Sequence, residues 1–304
     1  MNRVLMPFPA AARLAATVAP ALQARVAPLA WRHFPDGESL VTLDDDLEGA
    51  DVAILASLRD PDPLALPLRF AAQAARGFGA RSVGLIAPYL AYMRQDTRFH
   101  RGEAISAPLF ARFLEEAFDW LVTVDPHLHR FARLDTLYRI PTRHVSATPD
   151  VAAWIAREVP DAMLIGPDSE SEQWVAGIAD QAGLPYQVLR KERRGDYDVE
   201  VSLPDAAAVA GRTPVLVDDI VSSGRTILET VAHLKRFATR APVLVAIHPV
   251  FAGDAYLRLQ TAGLARIVST DTITHPSNAI PLGAAIAAEA SALMGPHPAP
   301  QEAT

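Results

Sequence analysis

The chain has 304 residues, enough for two domains or one large α/β unit, and half of them are hydrophobic, so substantial cores can form. A formal net charge of -7 without a long basic run argues against general nucleic-acid binding, though not against nucleotide binding, which needs only a few placed cations. The absence of cysteine excludes disulfides, thiolate catalysis and zinc–thiolate sites.

Residues 1–20 are rich in Ala and Pro and lack the basic stretch and apolar core of a signal peptide. No run of about 18 apolar residues suggests a membrane helix, so the expected compartment is the cytoplasm. Residues 51–57 (DVAILAS) read as a buried strand. Residues 64–76 have helical spacing and stop at Gly77, a candidate C-cap. A second strand is predicted over 82–87 (SVGLIA), a helix over 106–118 with Ser106 as N-cap, and a third strand over 119–124 (DWLVTV). The rhythm then restarts. Strands are predicted at 162–166, 186–189, 214–217, 243–247 and 265–269, and helices at 170–182, 226–237 and 254–262. Residues 197–203 alternate like a half-exposed strand or hairpin arm, and Pro281 precedes an Ala-rich helix over 282–294.

Strands alternating with helices predict α/β architecture with mainly parallel sheets. The pattern runs twice, with a seam near Thr142. The expected division is 1–142, 143–294 and a Pro-rich flexible tail over 295–304. No internal repeat is evident at residue level.

Residues 215–226 (VLVDDIVSSGRT) carry the most chemistry. An apolar strand delivers the adjacent carboxylates of Asp218 and Asp219 to a loop of Ser222, Ser223, Gly224, Arg225 and Thr226, where a helix begins. Backbone N–H groups at a helix N-terminus point outward with partial positive charge, and a glycine lets them approach a ligand, so the loop reads as a phosphate cradle. The alternative is an ordinary strand–turn–helix with capping serines. Two adjacent acids weigh against it, since they repel unless a cation or sugar meets them. The Gly-Lys-Ser/Thr ending of a P-loop is absent.

This segment resembles the phosphoribosyl pyrophosphate motif shared by phosphoribosyltransferases and ribose-phosphate pyrophosphokinases. The resemblance implies that Asp218 and Asp219 bind ribose hydroxyls and that Ser222, Ser223, Gly224, Arg225 and Thr226 hold the 5-phosphate. Many family members have a third Asp where Ser222 stands and a second Gly where Arg225 stands. Arg225 either adds a phosphate contact or points outward.

Five further segments have plain readings when taken singly. Residues 34–38 (FPDGE) read as a surface turn, 88–96 (PYLAYMRQD) as a solvated loop and 124–129 (VDPHLH) as a strand end with surface histidines. Lys191 and Arg193, in LRKERRGDYDVEV, read as part of a charged hairpin, and Gly166, Pro167 and Asp168 as a capped strand-to-helix turn. Together and in order, with Glu103, Ile105 and Ser106 continuing the second, they resemble the ribose-phosphate pyrophosphokinases. Weaker similarity continues through 248–251 and 271–273.

That resemblance implies two tandem phosphoribosyltransferase-like domains, each a mainly parallel sheet flanked by helices. It places Phe34 on adenine, with Asp36 and Glu38 contacting the base from a neighbouring subunit, and so implies a homo-oligomer, a dimer or larger. Arg94, Gln95 and Asp96 are assigned to ATP. His127 is assigned to Mg²⁺, directly or through phosphate or water, because magnesium prefers oxygen ligands. Asp168 is assigned to the ribose-phosphate or metal site, although Glu170 and Ser171 stand where glycines are common. Lys191 and Arg193 match the essential cations of a flexible catalytic loop; nothing is carried over to Arg194 or His129. The implied reaction is pyrophosphoryl transfer from ATP to O1 of ribose 5-phosphate, giving phosphoribosyl pyrophosphate and AMP. A phosphoribosyltransferase would share the acidic loop without needing the FPDGE and RQD segments. A non-catalytic regulatory paralogue would not need Lys191, Arg193, Asp218 and Asp219.

Overall fold

The computed structural model describes residues 2–128, 130–189, 191–193, 199–201, 206–237 and 240–295. The chain divides into two units, Met1–Val145 with Gly283–Thr304, and Ser146–Leu282.

The first unit opens with β1 (Arg3–Pro7), α1 (Ala12–Leu22) and β2 (Arg25–Val26). The composition of 1–20 hid these elements. In α1, however, Leu14, Ala15, Val18, Ala19 and Leu22 form one buried helical stripe. An antiparallel hairpin follows, β3 (Leu29–His33) and β4 (Ser39–Leu43). Then come β5 (Asp51–Leu55), α2 (Pro61–Gly77), β6 (Ser82–Ala87), α3 (Ser106–Glu115), β7 (Trp120–Val124) and β8 (Thr142–Val145). Every residue of β5, β6 and β7 is buried, which suits parallel strands covered on both faces.

Two predicted caps differ from what is observed. The left-handed residue after α2 is Gly79 (φ 85), not Gly77, which remains helical. Ile105 precedes α3 without a side-chain cap, and Ser106 is already in the helix.

The second unit contains α4 (Thr148–Glu158), β9 (Ala162–Gly166), α5 (Glu172–Ala182), β10 (Tyr186–Val188), an antiparallel pair β11 (Lys191–Arg193) and β12 (Val199–Val201), and α6 (Ala206–Val209). It continues with β13 (Thr213–Ile220), α7 (Arg225–Leu234), β14 (Val243–His248), α8 (Ala255–Thr261), β15 (Arg266–Thr270) and β16 (Asn278–Ile280). The predicted strand at 214–217 is longer than expected, so Asp218 and Asp219 lie within β13, with Asp218 in register with Ala246 of β14.

Among the described residues, each unit has a six-stranded sheet whose neighbours pair in parallel, ordered β2-β1-β5-β6-β7-β8 and β10-β9-β13-β14-β15-β16. Leaving out the hairpins, both sheets run second-first-third-fourth-fifth-sixth. In both, the antiparallel hairpin is inserted between the second and third strands. The repeat therefore exists in topology although it is not legible residue by residue.

The last helix, α9 (Gly283–Leu293), packs in the first unit although chain order alone assigned it to the second domain. Arg3 accounts for part of this: its guanidinium donates to Ser291 Oγ (2.9 Å), Met294 O (3.0 Å) and Leu22 O (3.1 Å). A side chain at Gly283 would collide with Thr17 of α1, its Cβ falling 2.2 Å from Thr17 Oγ1.

Candidate functional site

In open parallel sheets, ligands bind beyond the strand C-termini where the strand order reverses. In the second unit that point lies between β9 and β13. Asp168 follows β9, and Asp218 and Asp219 end β13. Burial pushes Asp218 well above the usual carboxylate range, and the neighbouring charges of Asp219 and Asp168 push it further. Asp219 is buried and accepts the N–H of Ile220 at 2.8 Å.

Asp168 is built into a tight turn. Its Oδ1 accepts the Ser171 N–H (3.2 Å), while Ser171 Oγ donates to the Asp168 carbonyl (2.6 Å). Ser171 reaches this position because residue 166 has no side chain: a Cβ on Gly166 would lie 2.6 Å from Ser171 Oγ. The departure from the family's small residues is thus accommodated inside the turn.

The phosphate-loop sequence lies between β13 and α7. Gly224 adopts φ 68 and precedes α7, a conformation costly for any residue with a Cβ. The chain beyond β14 backs this loop: Phe251 donates to Val221 O (2.8 Å), Ala252 to Ser222 O (3.0 Å), and the Arg258 guanidinium to Ser223 O (3.0 Å). Phe251 itself has a positive φ of 38°. His248 Nδ1 lies 3.0 Å from Thr272 Oγ1, so the two weakly similar segments, 248–251 and 271–273, meet at adjacent strand ends. Arg225, the first residue of α7, points outward and pairs with Glu229 at 2.9 Å.

In the first unit the FPDGE segment is the tip of the β3–β4 hairpin. Phe34 N–H donates to Glu38 O (2.7 Å), Gly37 takes φ 92, and Asp36 Oδ1 accepts the Glu38 N–H (3.2 Å). The turn is self-braced and presents Phe34, 39% exposed, with the Arg32 guanidinium 4.7 Å from its ring centroid.

Beyond β6, Tyr92 is held at φ 63, and its hydroxyl donates to Asp62, which pushes its pKa up to about 12. Arg94 is exposed and has no ion-pair partner among the described residues. Gln95 is committed locally, its amide donating to Thr97 O (3.3 Å) and Ala104 O (3.4 Å). The Asp96 side chain is almost wholly buried and accepts the Arg130 N–H at 3.2 Å. Glu103 closes the same loop by accepting the N–H groups of Phe99 (2.9 Å) and His100 (3.0 Å). The His100 ring beside it holds its carboxylate below the usual range.

Beyond β7, His127 is half-buried. It follows Asp125, a buried non-glycine residue at φ 27. Strained positive-φ residues thus occur in three of the sequence-identified segments, at Tyr92, Asp125 and Phe251, as is common at functional sites. Sequence reasoning gave no role to Arg130 or His144, which hydrogen-bond to Asp96 and Asp125; a positive φ or a hydrogen-bond partner leaves no signature in residue type.

The backbones of Lys191 and Arg193 pair with Val201 and Val199 in the β11–β12 hairpin. Their side chains lie outside the described part, as do Arg194, His129, most of the 197–203 arm and the tail over 296–304.

No group of three or more His, Asp or Glu side chains among the described residues is arranged to hold a metal ion. Magnesium nevertheless fits the chemistry. It is commonly held by one or two carboxylates plus water and phosphate oxygens. After burial, repulsion from Asp219 and Asp168 raises Asp218, and a divalent cation would relieve that repulsion. No described helix is long and apolar enough to cross a membrane.

Residues 4–117 match the N-terminal domain of ribose phosphate pyrophosphokinase, and residues 144–278 match the phosphoribosyl transferase domain. A ribose-phosphate pyrophosphokinase of Methanopyrus kandleri is 32% identical over 285 residues, covering 93% of this chain and 97% of its own. One from Methanothermobacter thermautotrophicus is 32% identical over 279 residues, covering 91% and 96%. The crystal structure of phosphoribosylpyrophosphate synthetase from Mycobacterium smegmatis superimposes with a TM-score of 0.84 at 26% identity, covering 96% of this chain and 99% of that one.

Proposed function

The chain belongs to the ribose-phosphate pyrophosphokinase family, and from that premise we propose that it transfers the pyrophosphoryl group of ATP to O1 of ribose 5-phosphate in the cytoplasm. The observation that carries this is the gathering of Asp168, Asp218 and Asp219 at a strand-order reversal, beside a glycine-led helix N-terminus. Carboxylates there accept hydrogen bonds from ribose hydroxyls, and the N–H groups opening α7 donate to a 5-phosphate.

The first unit binds ATP in this reading. Phe34 stacks on adenine, with Asp36 and Glu38 on the base edge; the exposed, self-braced hairpin suits a contact with a nucleotide held by a second copy of the chain, hence a homo-oligomer. Arg94 has its guanidinium available for the phosphates. Gln95 and Asp96, already engaged within the protein, shape the loop around them. Mg²⁺ would neutralise phosphate charge there. His127 and Asp168 would hold it, His127 most simply through water or phosphate.

The ribose O1 oxygen attacks the β-phosphorus in line. A new O1–Pβ bond forms, the bond from Pβ to the α–β bridging oxygen breaks, and AMP leaves with that oxygen; the O1 proton goes to solvent or a nearby base. Such transfer depends on positioning and charge stabilisation. Asp218 and Asp219 orient the ribose, the residues from Ser222 to Thr226 fix its phosphate, and Lys191 and Arg193 stabilise the negative charge at the transferring group.

Incubating the protein with ATP, Mg²⁺ and ribose 5-phosphate should yield AMP in equal amount to phosphoribosyl pyrophosphate. ATP that stays intact while the protein consumes phosphoribosyl pyrophosphate with a base would make it a transferase instead.

A further inference from the structure

The loop over 125–130 is fastened at both ends. At the far end, Arg130 donates its N–H to Asp96 Oδ2 at 3.2 Å, with its Nε 3.6 Å from Asp96 Oδ1. At the near end sits Asp125. Its φ of 27° lies in the left-handed region, which costs a residue with a Cβ about 1 kcal/mol or more. Such strain persists only when the surroundings over-determine it.

Two bonds from β8 do so. The Asp125 N–H donates to Val145 O at 3.0 Å, and the buried Asp125 carboxylate lies 3.0 Å from His144 Nε2. The parallel pairing of β7 with β8 fixes this geometry. Thr123 is in register with His144 and Val124 with Val145, so His144 stands beside the strand end from which Asp125 departs. An ionised carboxylate only accepts hydrogen bonds, so the His144 tautomer or charged form in this pair carries its proton on Nε2. Backbone pairing alone would hold the Asp125 nitrogen. From β8 the His144 side chain also meets the Asp125 carboxylate, at the point where Pro126 and His127 leave the strand.

We propose that His144 is a positioning residue for nucleotide binding: through Asp125 it holds the strained turn that aims the His127 loop, without touching ligand itself. The inference rests on the functional reading of that loop. The His144 side chain is 46% exposed, on the sheet's edge strand, so its loss does not open the core.

The test uses the full chain with His144→Ala and His144→Gln, the amide of glutamine placing a donor near the position of Nε2. Calorimetry measures Mg²⁺-ATP binding, AMP release separates the KM values of the two substrates, and thermal melting monitors the fold. For His144→Ala, Mg²⁺-ATP affinity and kcat/KM for ATP should fall by about 10- to 100-fold, the range seen when a partner of a ligand-binding residue is removed. The KM for ribose 5-phosphate should hardly change, and His144→Gln should recover most of the loss. Wild-type Mg²⁺-ATP affinity in His144→Ala would overturn the proposal. So would equal losses toward both substrates that track a lower Tm, or a glutamine variant no better than alanine. Absence of AMP release by the wild type would remove the functional reading alone; calorimetry with Mg²⁺-ATP then decides the role of His144 by the same criteria, and wild-type protein that fails to bind Mg²⁺-ATP overturns both.

Discussion

Where the strand order reverses in the second unit, between β9 and β13, Asp168, Asp218 and Asp219 are drawn together. At the equivalent place in the first unit, between β1 and β5, the chain carries Phe8, Ala56 and Leu58. Phe8 is buried there and lies edge-on to Trp31, with ring centroids 6.0 Å apart. The same topology thus carries three carboxylates at the reversal of one unit and buried apolar side chains at that of the other. The candidate ligand groups of the first unit are displaced to the ends of β6 and β7, where Arg94, Asp96 and His127 stand. The inserted hairpins differ in sequence in the same way: the first carries an aromatic residue and two acids at its turn, and the second carries Lys191 and Arg193. Strand order alone therefore does not fix where candidate ligand groups stand; the residues at the strand ends do.

The sharpest test of this contrast is to strip the second hairpin of its charge. Lys191→Ala should lower kcat by at least about 10² to 10³, the cost of losing one preorganised contact to developing charge, with an unchanged circular dichroism spectrum. Equal turnover would remove Lys191 from the mechanism and leave the two hairpins chemically alike.

Next is the acidic crevice. Asp218→Asn should reduce kcat/KM for ribose 5-phosphate by about 10- to 100-fold, through loss of a charged hydrogen-bond acceptor worth about 1.5–3 kcal/mol. The same change should alter the pH dependence of stability, measured without divalent cations. The folded Asp218 pKa is raised, so its contribution to stability is complete below the unfolded value of about 3.9 and is lost as pH rises through the folded value. Wild-type stability should therefore fall more over that window than stability of the Asn variant. Parallel curves would mean that burial and the neighbouring acids do not raise Asp218.

Gly224→Ala probes the loop beside them. The positive φ and a Cβ 3.0 Å from Leu259 Cδ1 should cost about 1–2 kcal/mol of stability and raise the KM for ribose 5-phosphate more than that for ATP. A uniform effect on both substrates would count against a phosphate cradle. The smallest effect belongs to the first hairpin: Phe34→Ala should raise the KM for ATP by up to about tenfold, consistent with an aromatic contact of about 0.5–1.5 kcal/mol, and leave Tm unchanged because the ring is exposed. An unchanged KM for ATP would mean that the first hairpin does not carry the adenine contact.

Much of this was legible in the sequence. Buried strands such as 51–57 and 82–87 stand out because parallel strands covered on both faces are continuous apolar runs. The acidic loop stands out because adjacent carboxylates before Ser-Ser-Gly have few other uses. Legibility failed where the local pattern was weak. The stripe of α1 is built partly of alanine, whose small side chain gives little periodic contrast. The β3–β4 hairpin showed only its turn, and β8 has a single buried residue.

The sequence by itself determined the α/β class, the doubled rhythm and the order of the candidate ligand-binding segments, because strand hydrophobicity, turn residues and motif spacing are local properties of the chain. Only the tertiary structure decided that Asp168 stands beside Asp218, that Arg225 turns to Glu229, that α9 returns to the first unit and that His144 holds Asp125. Each of these joins residues that strand register, helix packing or side-chain rotamers bring together, and such partnerships are set by the fold as a whole rather than by neighbouring residue types.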